Sequence, residues 1–341
     1  MNPASRDELT FGYYLSRSFN GFYLDFGMRY DSIDNEGSIS NAHEEEHHDE
    51  DEDHEEEEHE EYETAYYDQS FKNSSIALNI GRELNDFMSL DFGFASVERA
   101  PSTTEMFMNG AHLATARYEV GNVNLNSEKS NNIDLTLNIK NGSFFATATV
   151  FMNDFDNYIY LQDETEEEHE EHEEHDEEHE EDHDDHGGLV LANYLQQDAE
   201  LDGYEIEFGN TLNIGSGELT LSFGRDEISG EFSNGGNIPR LNPARNVYKL
   251  KYSQDNMVFG LMFKDVEKQS DIAIAEINTA AYQMLNAKLT RNFDFGNQSK
   301  LTVSLFGNNL LDEVARNHSS YVKTQVPLPG RNYGVRFNLS F

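Results

Sequence analysis

At the end of the chain apolar and polar residues alternate strictly. Tyr333, Val335, Phe337, Leu339 and Phe341 share one face, and Gly334, Arg336, Asn338 and Ser340 share the other. A period of two is the signature of a β-strand. The same alternation recurs at Phe22/Leu24/Phe26/Met28/Tyr30, with Tyr23, Asp25, Gly27 and Arg29 between, and at Met88/Leu90/Phe92/Phe94. Further copies are Ile133/Leu135/Leu137/Ile139, Phe144/Ala146/Ala148/Val150, Leu219/Leu221/Phe223, Tyr248/Leu250/Tyr252 and Leu301/Val303/Leu305. The pattern predicts about thirteen strands. Many run to about ten residues or more, the span a tilted strand needs to cross a bilayer.

The predicted connections alternate in length. Asn20-Gly21, 83–86, Asn141-Gly142, 215–217, 254–255 and 296–298 read as tight turns, and 36–69, 99–127, 162–189, 229–243, 271–277 and 311–330 as long links. Short turns at one end and long loops at the other suit an outer-membrane barrel. A soluble sandwich or solenoid also carries one apolar face per strand. Against it stand the Asp, Lys, Arg, Asn and Thr of the polar face, and strands longer than globular sheets use. No apolar run is long enough for a transmembrane helix, which leaves a closed barrel as the way to span a bilayer. If the last strand descends to the periplasm, counting back thirteen strands makes the first descend too, and every long link then falls outside.

Composition adds scarce Pro, no Trp and abundant Tyr and Phe, a mixture suited to strands and turns. The formal charge of −43 is concentrated: about half of the acids lie in 43–63 and 163–185. Such blocks repel phosphates, which excludes nucleic acid as a partner, and they attract cations. With no cysteine, disulfides and thiolate metal sites are excluded. Met1 runs into a strand-like segment with no signal peptide, so the expectation is a chain that begins partway through a longer protein, or one that is not exported.

The candidate chemistry lies in the long links. The first acidic block holds His43, His47, His48, His54 and His59, and the second His169, His172, His175, His179, His183 and His186. Neutral imidazole ligates zinc, copper and nickel, and carboxylates complete a shell or concentrate cations nearby. Steps of three or four in the second block would align its histidines along one stripe of a helix. Without metal, repulsion among the carboxylates predicts disorder over 36–69 and 162–189. Binding should weaken as imidazoles protonate. The plainer reading is a solvated acidic loop, but eleven of thirteen histidines in two blocks point to divalent-metal capture. Copper binds such groups more tightly than zinc, so residue type alone does not name the metal. His112 and His318 lie in separate links, as candidates for a structured site with Glu105 or Glu119, or as ordinary loop hydrogen-bonders. Nothing in the chain marks an enzyme: no nucleophile constellation or phosphate loop stands out.

Three stretches resemble TonB-dependent outer-membrane receptors. They are 96–107 (SVERAPSTTEMF) running into 109–122 (NGAHLATARYEVGN), 125–134 (LNSEKSNNID) with 151–160 (FMNDFDNYIY), and 308–313 (NNLLDE) with 327–333 (PLPGRNY) and Phe341. The His/acid blocks, 109–115 and 316–319 are most similar to the zinc-uptake receptors of that family, over most of the chain from about residue 70. The resemblance implies an outer-membrane protein of a Gram-negative bacterium. It also implies an all-β, antiparallel transmembrane β-barrel of 22 strands, of which 1–341 would supply about the last 13, the N-terminal plug domain being absent. TonB would act through that missing plug, the barrel-assembly machinery would read Phe341, and outer-membrane lipid would surround the wall. The implied activity is capture and import of zinc or another divalent metal. The alternatives are a receptor for nickel, copper, haem or a metal-chelate, or a barrel-anchored surface metal buffer. An open sheet edge is intolerable in a bilayer, so 1–341 alone is expected neither to close nor to transport.

Overall fold

The computed structural model describes residues 2–43, 61–165, 188–296 and 299–341. Its strands, in chain order, are β1 (Ser5–Phe19), β2 (Phe22–His43), β3 (Glu61–Asn85), β4 (Met88–Arg99), β5 (Asn109–His112), β6 (Arg117–Val120), β7 (Glu128–Asn141) and β8 (Phe144–Asp163). They continue as β9 (Val190–Ile214), β10 (Gly217–Phe232), β11 (Arg245–Gln254), β12 (Met257–Val266), β13 (Tyr282–Phe295), β14 (Ser299–Asn308) and β15 (Asn332–Ser340). One short helix, α1 (Thr103–Phe107), interrupts them. Thirteen strands pair antiparallel with their sequence neighbours in one sheet, β1-β2-β3-β4-β7 onward to β15, while β5 and β6 lie off this path. The alternation therefore identified the thirteen wall strands. It missed the pieces folded within the 99–127 link.

Tight turns form where Gly and Asn permit them. Asn20 (φ 50°) and Gly21 (φ 76°) both take left-handed conformations, the requirement of a two-residue hairpin turn whose twist matches its strands. Pairing of β2 with β3 continues to His43 opposite Glu61. The link expected over 36–69 is thus narrowed to 44–60, which lies outside the described residues, as does 166–187 of the second expected loop. Register then decides what each face carries. Across eight strands one row reads Met88, Ile139, Ala146, Phe208, Phe223, Tyr248, Phe263 and Leu285. Its aromatics pack at tilted angles, with ring centroids 5.4 Å apart for Phe208 and Phe223, 5.1 Å for Phe223 and Tyr248, and 6.0 Å for Tyr248 and Phe263. The opposite face reads Asp91, Thr136, Thr149, Glu205, Asp226 and Arg245 in one row.

Phe11, Phe208, Tyr248, Val335 and Phe337 of the apolar face all stay exposed. So large and continuous an apolar surface is incompatible with water and suits lipid tails. The polar face is the inner one, because the 99–127 link folds over it. Ile33 and Asn35 on that face of β2 are buried, Asn35 Nδ2 donates to Pro101 O at 2.9 Å, and Arg6 Nη1 donates to the same carbonyl at 3.1 Å. A small buried cluster at the outer end of the sheet joins Ala199, Leu201 and Phe232 to Ile238 of the 233–244 link. β1 and β15, the two ends of the strand order, do not pair with each other.

Candidate functional site

The long links converge into a layer over the inner face. α1 anchors the first of them. Ser102 accepts from Glu105 N and Glu105 reaches back to Ser102 N, a reciprocal cap. Met106 and Phe107 beyond it are fully buried. The sequence holds this signal as Ser102-Thr-Thr-Glu105 before an apolar pair, and it locates the helix without the structure. Gly121 is required for the docking: a side chain there would come within 2.6 Å of the Met106 backbone.

The β5–β6 hairpin comes next. His112 pairs with Arg117 and Gly110 with Glu119, so these four share one face of the hairpin. His112 Nδ1 lies 2.8 Å from Glu119 Oε1, which also accepts from Thr115 Oγ1 at 2.8 Å, while Tyr194 Oη donates to Oε2 at 3.4 Å. Glu119 is 2 % exposed and the His112 side chain is 46 % exposed. A carboxylate acceptor calls for a proton on Nδ1, which leaves the lone pair of neutral His112 on Nε2. That is the arrangement in which a carboxylate orients a metal-binding imidazole. β6 runs parallel to β9 at Val190–Asn193, which fixes the hairpin beside the end of the second acidic block.

Other buried carboxylates here are neutralised by cations. Asp163 holds Arg117 through both oxygens at 2.6 and 2.5 Å. Arg99 bridges Glu105 and Glu128. Glu276 accepts from Lys323 Nζ at 2.6 Å, Arg240 N at 3.1 Å and Ala273 N at 3.2 Å. Burial alone would raise the Glu276 pKa; interactions with His318, Lys323 and the two backbone N–H groups outweigh it and hold the carboxyl at about 2. Burial lowers the Lys323 pKa against the pull of Glu276. His318 is fully buried, with Nδ1 3.0 Å from Thr279 Oγ1 and Nε2 3.0 Å from Glu276 Oε1 without a directed hydrogen bond. Tyr321 ties this cluster to the hairpin, its ring 4.7 Å from the Arg117 guanidinium and 4.0 Å from that of Arg240.

Of the four residues expected in a structured site, the fold joins His112 and Glu119. It places Glu105 in the α1 cap beside Arg99, and His318 in the Glu276 cluster. His43 ends β2, and His47, His48, His54, His59, His169, His172, His175, His179, His183 and His186 lie outside the described residues. Among the described residues no three His, Asp or Glu side chains are grouped to hold a metal. Sequence reading missed Thr115, which acts within the hairpin itself, and Tyr194, Glu276 and Lys323, whose partners lie far away in sequence.

A sheet of long antiparallel strands with an exposed apolar side, a polar inner side and loops gathered over one mouth has the construction of an outer-membrane β-barrel. The family model described as "TonB dependent receptor-like, beta-barrel" matches residues 4–310, and the chain belongs to that family, whose members are outer-membrane transporters of Gram-negative bacteria and not enzymes. Among solved structures, the fold is similar to the copper transporter OprC (TM-score 0.73, 17 % identity, 99 % of this chain and 48 % of that one). It is also similar to the ferric-catecholate import receptor Fiu of E. coli K12 (TM-score 0.63, 15 % identity, 99 % and 45 %). A third likeness is to the Serratia marcescens hemophore receptor HasR (TM-score 0.60, 14 % identity, 98 % and 51 %). The chain spans about half the length of these structures.

Proposed function

We propose that the chain forms the wall and outer loops of a TonB-dependent receptor that captures and imports a divalent metal ion, zinc before others. The observation that carries this reading is the concentration of eleven histidines in two acidic blocks. Those blocks join β2 to β3 and β8 to β9, at the same end of the sheet as the His112–Glu119 pair. The acidic blocks raise the local cation concentration and the encounter rate. Their imidazoles, His43, His47, His48, His54, His59, His169, His172, His175, His179, His183 and His186, bind the ion reversibly. His112 then offers a fixed Nε2 ligand, and Glu119 supplies the negative charge behind it. His318 and Glu105 hold the surrounding loops in place. Family membership supports energy supply by TonB and recognition by barrel-assembly machinery, and the exposed apolar face supports a lipid-covered outer side.

Copper is the main competing cargo, since the same ligand types bind it more tightly than zinc. Haem and anionic chelates fit less well, because the acidic blocks would repel them. A surface buffer without transport is separated by energy dependence. Zinc uptake with copper, nickel and cobalt as competitors tests the reading: uptake that copper abolishes at equal concentration would reassign the cargo.

A further inference from the structure

Glu119 differs from the other buried carboxylates of the mouth in what surrounds it. Asp163 holds the Arg117 guanidinium, and Glu276 holds the Lys323 ammonium. Glu119 has no Lys or Arg partner among the described residues, and Arg117, two residues before it, is committed to Asp163. Hydroxyls take the place of a cation. Thr115 lies in the β5–β6 turn, where its N–H donates to His112 O at 3.1 Å. Its hydroxyl lies 2.9 Å from the same carbonyl and 2.8 Å from Glu119 Oε1. The single hydroxyl proton goes to the carboxylate, because the carbonyl already has a donor and a charged acceptor binds more strongly. Tyr194 approaches from the wall. It follows the four residues of β9 that pair with β6, and its hydroxyl is the one donor directed at Glu119 Oε2 among the described residues, at 3.4 Å. Burial, and after it the Glu119 charge, push the Tyr194 phenol up, so it stays protonated as a donor and does not become a ligand. A buried carboxylate left without hydrogen bonds is costly, and one cancelled by a guanidinium would offer His112 little net charge. Two hydroxyls meet the first need without defeating the second.

We propose that Thr115 and Tyr194 are positioning residues of the metal site, holding Glu119 with its charge uncancelled against His112 Nδ1 so that Nε2 stays turned to the ion. The inference rests on the reading of His112 as a metal ligand. Neither hydroxyl touches the ion, and both act through Glu119. Thr115 fixes Oε1 within the hairpin, and Tyr194 ties Oε2 to the wall, so β9 and the β5–β6 hairpin hold one carboxylate between them. The effect falls on affinity at one histidine and leaves the eleven histidines of the acidic blocks untouched.

The test reads that histidine alone. The full-length receptor in isolated outer membranes is treated with diethyl pyrocarbonate, which modifies free imidazole nitrogen, over a series of zinc concentrations. The His112 side chain is 46 % exposed and open to the reagent. Peptide mass spectrometry then gives the zinc concentration that half-protects it. Thr115→Val and Tyr194→Phe, which keep side-chain shape and lose the hydroxyl, should each raise that concentration about tenfold, the low end of the usual loss for an outer partner of a metal-bound histidine. Thr115→Ser keeps the hydroxyl and should match the parent, and amide exchange over 109–120 should stay at the parent's level in all three. Zinc that protects His112 equally in the parent, Thr115→Val and Tyr194→Phe would overturn the inference and leave the metal reading standing. A loss in Thr115→Ser as large as in Thr115→Val, or a loss that comes with raised exchange over 109–120, would also overturn it by marking a structural role. Zinc that never protects His112 in the parent would overturn both the inference and the reading beneath it.

Discussion

Replacing Glu276 by Gln removes the charge on which three outer links converge. The carboxyl sits at about 2 against an ordinary value of 4.5, a difference of roughly 3 kcal/mol at about 1.4 kcal/mol per pH unit. The sign follows from the depressed value. The ionised carboxylate contributes its full stabilisation above about 4.5, and the contribution is lost as pH falls from there through about 2. In Glu276→Gln the glutamine oxygen still accepts from Arg240 N and Ala273 N, but Lys323 keeps a buried positive charge without its partner. Breaking a buried pair on one side costs about 3–5 kcal/mol, less whatever Lys323 recovers by moving toward water. The loss is local, since the sheet below keeps its own hydrogen bonds. Amide hydrogen exchange at pH 7 should therefore rise about ten- to a hundredfold over 271–279 and 316–323, with the wall strands unchanged. Lys323→Met with Glu276→Gln should restore part of the protection, because neither buried charge remains. Exchange in Glu276→Gln equal to that of the parent would refute the assignment of Glu276 as the hub.

The hairpin, the α1 anchor and the histidine blocks give four further expected outcomes. Glu119→Gln should weaken zinc binding about 10–100-fold, the usual loss when the carboxylate behind a metal-binding imidazole is removed, and titration calorimetry on the purified receptor reads it. His112→Ala should match it, and the double variant should lose little more, since the two act as one unit. Gly121→Ala should displace α1 by driving a methyl against the Met106 backbone, costing about 1–3 kcal/mol and exposing Met106 to oxidation, measured as its sulfoxide. Metal capture by the two blocks should fall as pH drops through about 6.5, the ordinary imidazole value, because protonated histidine is no ligand; equal capture at pH 5 and 8 would assign binding to the carboxylates alone.

The wall was legible because its rule is local. Each strand needs only alternate apolar residues, and Asn20-Gly21 marks its own turn by tolerating positive φ at both positions. Parity then placed the long links at one end without any knowledge of contacts. The mouth was less legible, because its partners are far apart in sequence: Arg117 meets Asp163, Arg240 meets Leu161, and Glu276 meets Lys323. No period announces such pairs. His318 illustrates the limit: in sequence it resembles His112 as a lone histidine in a long link, and only burial against Glu276 and Thr279 separates the two. Glu105 shows the reverse case, where a capping signature in the sequence accounts for a residue otherwise grouped with possible ligands.

The most direct test of the central claim is zinc accumulation by metal-starved cells carrying the receptor, with and without TonB, in the presence of copper, nickel and cobalt. Zinc uptake that requires TonB and is little suppressed by the other metals is the expected result. Zinc held at the surface to the same extent with or without TonB, and never internalised, would contradict import and leave a metal-binding surface on a barrel anchor.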